Sequence, residues 1–158
     1  MRREFFKKLG LATLAITMSA QTLSANPQEW PKEVNFGVIP VAGATSMKDT
    51  FGGLTTYLEK TLGVKVNLQT AGDYTGVISA MQHNHVQIAY FGPQSYVEAQ
   101  KRAKAQAVAV EVDEETGLPG YYGMILTKKG SGLKTLEDIK GKKWAFTSSQ
   151  STSGTLVP

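Results

Sequence analysis

The sequence predicts an α/β fold, a mostly parallel sheet with helices on both faces. The alternation of two kinds of segment along the chain carries that expectation. Short runs rich in Val, Ile and Phe alternate with helical stretches of roughly 10–16 residues, the length that a crossover between parallel strands requires. Cysteine is absent, so the fold has no disulfide framework and must rest on a hydrophobic core.

The first 25 residues stand apart from this pattern. "MRREFFKKLGLATLAITMSAQTLSA" sets Arg2, Arg3, Lys7 and Lys8 before an apolar run from Leu9 to about Met18, and small residues follow to Ala25. That order predicts a signal peptide over 1–25 and export. Thr13, Thr17, Ser19 and Gln21 interrupt the apolar run, which falls short of the roughly 20 residues that a membrane span needs. Arg2-Arg3 followed by Phe5-Phe6-Lys7 resembles a twin-arginine signal, with Met1 where Ser or Thr is usual; Sec export is the alternative. The segment holds four bases and one acid, so the formal charge of +4 falls to about +1 for residues 26–158. Such a chain has no electrostatic footprint for nucleic acid. Without a cysteine there is also no site for a lipid anchor, and a soluble exported protein is expected.

A polar linker, 26–33, leads into "VNFGVIP" (34–40), read as a buried strand that stops at proline. Met47, Phe51, Leu54, Leu58 and Leu62 then recur at helical spacing on one face, with Gly63 as the C-terminal stop. Gly52 and Gly53 weaken that helix by about 1 kcal/mol each relative to alanine. "VKVNLQT" (64–70) is the second strand, with Val64, Val66 and Leu68 on one face. Asp73 is the expected cap of a second helix whose apolar stripe is Tyr74, Val77, Ile78 and Met81. "VQIAYF" (86–91) is the third strand, and Gly92-Pro93 opens a third helix from Gln94 to about Lys104. Further along, "AQAVAVEV" (105–112) and "YYGMILT" (121–127) read as strands around the turn-rich "DEETGLPG". "KTLEDIKGKKWAF" (134–146) reads as a short helix, a glycine turn and a strand.

In a parallel sheet the ligand sits where strands run out into loops that enter helices. The loops to inspect are therefore 40–46, 70–74, 91–94 and 147–155. The last is dense in hydroxyls: Thr147, Ser148, Ser149, Ser151, Thr152, Ser153 and Thr155. A helix beginning near Ser151 would offer free N–H groups, the positive end of its dipole and hydroxyl donors, which together suit an oxyanion. Ordinary capping needs only one of these hydroxyls and a Ser/Thr linker needs none, so the cluster by itself leaves all three readings open.

Catalytic patterns are missing from it. The cluster lacks the lysine of a phosphate loop, and Ser149 stands where a nucleophile elbow has glycine. His83 and His85 lie two apart at a helix end, where they point in different directions and lack a third ligand, so a surface turn is expected there rather than a metal or nuclease site. No cofactor is implied.

Several stretches, in order, carry a resemblance: "NFGVIP", "YLEKTLGVKV", "DYTGVISAM", "QIAYFGPQSYVEA", "GYYGMIL", "LEDIKGKKWAF" and "STSGTLVP". They resemble the N-terminal half of the phosphate/phosphite/phosphonate-binding proteins of ABC importers. The resemblance implies a type II periplasmic-binding-protein-like fold, with 34–112 forming part of the first lobe and 113–158 the hinge crossing and the start of the second. It implies that Ser151, Thr152 and Ser153 hold the headgroup and that Tyr74 and Tyr90 contribute to the ligand site. The family's aromatic pair has tyrosine second, whereas here Phe91 follows Tyr90; Thr155 replaces an aromatic residue, and Gln87 an acidic one. The implied protein is a monomeric periplasmic receptor that delivers a phosphonate, phosphite or phosphate to a membrane permease and performs no chemistry. A sensory module serving a histidine kinase is the alternative, and an exported phosphoryl-transfer enzyme a third reading, disfavoured by the lack of metal-ligand clusters. Members of the family are about twice as long, so this chain is expected to be a fragment.

Overall fold

The computed structural model describes residues 30–41 and 44–158, so the expected signal peptide and most of the linker lie outside the described residues. Three strands form the sheet: β1 (Glu33–Val38), β2 (Lys65–Thr70) and β3 (Ile88–Tyr90), in the order β2-β1-β3 and parallel throughout. Val34 pairs with Val66, Phe36 with Leu68 on one side and Ile88 on the other, and Val38 with Tyr90. The register sets branched and aromatic side chains side by side on one face.

That face is covered by α1 (Ala44–Leu62), whose Met47 and Phe51 pack into a cluster with Val34, Phe36, Val38 and Val66. Phe51 meets Tyr90 with ring centroids 5.1 Å apart. Leu54, which the helical spacing assigns to the same stripe, is 41% exposed instead, whereas Leu58 one turn further on packs against the core cluster. The two glycines are accommodated within α1, and Gly63 ends it in a left-handed conformation at φ 68° with its N–H on the Glu59 carbonyl.

The opposite face carries α2 (Tyr74–Gln82) and α3 (Pro93–Ala103), which pack on each other. Asp73 caps α2 as expected, its carboxylate accepting the Gly76 N–H at 2.7 Å. Val77 and Ile78 are buried beneath. Gly37 makes the close approach possible, since a Cβ there would stand 2.9 Å from a Val86 methyl and 3.0 Å from one of Val77.

Beyond α3 the expected elements do not form. Residues 105–112, 121–127 and 143–146 form no strand, and the short helix expected after Lys134 is a single 3₁₀ turn, Glu137–Ile139. Val108, Val110 and Val112 are 91%, 71% and 54% exposed. A strand is stabilised by its ladder and by the surface it buries, and neither is supplied to these segments.

The histidine pair also differs from expectation. Asn84 adopts φ 60°, and this turn brings the His83 and His85 rings into a stack with centroids 6.5 Å apart rather than pointing them in different directions. Among the described residues no cluster of three or more His, Cys, Asp or Glu side chains is placed to hold a metal, and no helix is long and apolar enough to cross a membrane.

Candidate anion-binding site

The hydroxyl-rich stretch folds back on itself before it forms a helical turn. The Ser151 N–H reaches the Ser148 carbonyl at 2.9 Å, the Gln150 N–H reaches Ser148 Oγ at 3.2 Å, and Thr155 Oγ1 donates to the Ser148 carbonyl at 2.8 Å. These bonds close a tight loop. From it one wide turn, Thr152–Leu156, starts at Ser151, whose Oγ accepts the Gly154 N–H at 3.2 Å. The first backbone bonds of the turn come from Leu156 to Ser151 at 3.2 Å and from Val157 to Thr152 at 3.0 Å. The N–H groups of Thr152 and Ser153 therefore precede the ladder, in the position where helix starts leave donors for a partner. Gly154 lies directly against Thr147, leaving no room for a Cβ, and its carbonyl accepts the Thr147 N–H at 3.2 Å.

Thr152 ties this turn to the helix before it. Its Oγ1 accepts the Gln94 N–H at 2.9 Å, in the first turn of α3. Gly92 caps α3 without a side-chain bond and Pro93 has no N–H to offer, so Gln94 is an early donor of that helix. Two helical starts thus meet at one hydroxyl.

A cavity of about 220 Å³ opens beside this junction, bounded by Pro93, Gly120, Tyr121, Gly123, Thr152, Ser153 and Val157. Gly123 matters to its shape, because a Cβ there would stand 3.5 Å from that of Ser153. Of the expected site residues, Thr152 and Ser153 are on the wall, whereas Ser151 is 7% exposed and spends its oxygen on the cap. Tyr74 and Tyr90 are off the wall. Tyr121 and Tyr74 lie close enough to Tyr90 to act on its phenol.

Tyr90 donates its proton to Glu111 Oε2 at 2.5 Å. Partial burial first, and then the Glu111 carboxylate, push the Tyr90 phenol up to about 12, and Tyr121 and Tyr74 add to the effect. Sequence reasoning missed both Tyr121 and Glu111. Tyr121 was hidden in a stretch with strand character, and no spacing links Glu111 to a tyrosine 21 residues earlier.

A parallel sheet with helices on both faces, whose last strand leads into a helix that starts beside a small cavity, is an α/β arrangement of the periplasmic-binding kind. The chain belongs to the family of phosphonate periplasmic substrate-binding proteins of ABC transporters, whose family model matches residues 36–158. Among its relatives is the phosphonates-binding periplasmic protein of Escherichia coli K12, 38% identical over 94% of this chain and 46% of the relative. The phosphate-import protein PhnD of Mycolicibacterium smegmatis is 34% identical over 93% of this chain and 48% of its own. The crystal structure of a binding protein component of an ABC phosphonate transporter from Pseudomonas aeruginosa superposes with a TM-score of 0.73 at 31% identity, over 80% of this chain and 43% of that one. The chain spans about half the length of the curated relatives it matches.

Proposed function

We propose that this chain is the ligand-binding part of a periplasmic solute receptor for an ABC importer, and that it takes a phosphonate, phosphite or phosphate at the junction of the Thr152–Leu156 turn and α3. The single observation behind this reading is the bond from the Gln94 N–H to Thr152 Oγ1, which gathers two helical starts around one small cavity. With its oxygen accepting from Gln94, the Thr152 hydroxyl has its own proton to give. The Ser153 hydroxyl and the two leading N–H groups add donors that suit tetrahedral oxygens. Ser151 serves the site as the cap that aims the turn, and Tyr74 and Tyr90 line its approach. In this reading 34–112 belongs to the first lobe, 113–158 carries the crossing into the second, and the receptor delivers its ligand to a membrane permease without chemistry on it. The family is one of substrate-binding proteins, not of enzymes.

Isothermal titration of residues 26–158 with methylphosphonate, phosphite and phosphate tests the proposal. Saturable heat is expected with at least one of them, and Thr152→Ala is expected to weaken it by about tenfold or more, the usual worth of a hydrogen bond to a charged group. A folded protein that takes up none of these anions, or binds them equally well without the Thr152 hydroxyl, would refute this placement of the site.

A further inference from the structure

Two glycines face the cavity beside Thr152 and Ser153, and they are there for different reasons. Gly120 has φ 145°, a conformation that residues with a side chain rarely adopt, so the local turn itself requires it. Gly123 has no such conformation. A Cβ on it would meet Ser153 first, 3.5 Å from the Ser153 Cβ, 3.6 Å from its carbonyl oxygen and 3.8 Å from its Cα, which is ordinary contact and needs no shift. Gly37 and Gly154, by contrast, have no room for one. Neither backbone nor packing therefore calls for glycine at 123. What the missing side chain leaves is space, on the wall where Ser153 stands.

That space belongs to a cavity of about 220 Å³. Four oxygens, each with the liquid share of a water at about 30 Å³, take roughly 120 Å³, so there is room for more than a bare tetrahedral oxyanion. The remaining room has a definite character. Donors are gathered at Thr152 and Ser153, whereas the Pro93 ring, the Val157 side chain and the Tyr121 ring present carbon, and no carboxylate or cation is among the lining residues. An oxyanion that sets its oxygens on the donors meets carbon with whatever else it carries. Resting on the oxyanion reading of the cradle, we propose that Gly123 is a specificity-determining position of this site: its bare backbone leaves room beside Ser153 for a short carbon substituent on the oxyanion, and a side chain there shuts the longer substituents out.

Isothermal titration of the purified protein with phosphite, methylphosphonate, ethylphosphonate and propylphosphonate, which keep one kind of headgroup and lengthen its substituent, tests this. The unaltered protein is expected to bind ethylphosphonate at least as tightly as phosphite. Gly123→Ala is expected to leave phosphite within about twofold and to weaken ethylphosphonate and propylphosphonate about tenfold or more, the usual worth of one methylene in an apolar pocket. Retained phosphite binding shows in the same experiment that the variant is folded and its cradle intact. An unaltered protein that takes phosphite and rejects ethylphosphonate would overturn the proposal. So would a Gly123→Ala protein whose affinities are all unchanged, or all weakened by one common factor, the mark of a wall that has moved rather than a space that has been filled. The absence of heat with every ligand in the unaltered protein would remove the oxyanion reading and this inference together, an outcome distinct from anion binding that ignores the substituent.

Discussion

The Tyr90 phenol, pushed up to about 12 from the ordinary 10.0, links one residue to the pH behaviour of the fold. A phenol whose pKa is higher in the folded chain than in the unfolded one binds more proton when folded. Its contribution is therefore complete below about pH 10 and is lost as pH rises from about 10 to about 12. Glu111 is exposed, so solvent screens the pair and the slope is expected to be shallow. Urea unfolding at a series of alkaline pH values checks this: stability is expected to decline through that window, and Tyr90→Phe is expected to remove part of the decline. An identical slope in both proteins would mean that other phenols carry it. Asp73 shows the same economy of means at neutral pH, where one carboxylate on an extended backbone serves as the cap that begins α2.

Among the elements, the β1–α2 contact depends on a missing side chain. Val86 and Val77 present branched methyls to Gly37 at distances that a Cβ would reduce to 2.9 and 3.0 Å, and branched side chains have few other rotamers to adopt. Gly37→Ala is expected to force α2 away from the sheet and to cost about 1–3 kcal/mol, seen as a lower urea midpoint with an unchanged slope. The elements from β1 to α3 were legible in the sequence because each carried its own signal: Val34, Phe36 and Val38 alternate, Met47, Phe51 and Leu58 recur at helical spacing, and Gly63, Asp73 and Pro93 mark ends and starts. "AQAVAVEV" carried an equally good strand signal and formed no strand. Alternation reports what a segment can do when a neighbour is present, and β3 is the last strand of the described sheet. The site was legible to the same limited degree. The serines and threonines of 147–155 announced a polar turn, but the partner of Thr152 is 58 residues away at Gln94, and no local spacing encodes that bond.

At the scale of the whole molecule, burial is unevenly divided. The buried hydrophobic residues run from Val34 to Ala99, whereas Val108, Tyr122, Met124 and Leu126 are each more than three-quarters exposed, at 91%, 95%, 77% and 84%. Residues that bury little gain little from staying in place, so local opening is cheapest in the segment between α3 and the Thr152–Leu156 turn. That segment also holds Lys128, Lys129, Lys140, Lys142 and Lys143, which makes it a ready substrate for trypsin. Brief digestion of the purified protein is expected to cut there first and to leave the block from β1 to α3 intact, identified by mass spectrometry of the surviving fragments. The bond from Gln94 to Thr152 returns the chain to the block after this tract, and within the tract Glu111 is tied to the block by the Tyr90 hydroxyl. A ligand bridging Thr152, Ser153 and the start of α3 would strengthen the return and slow the cutting in proportion to its occupancy. First cuts within α1, at Lys48 or Lys60, or within α3, at Lys101 or Arg102, would instead show that the tract is held more firmly than its exposure allows.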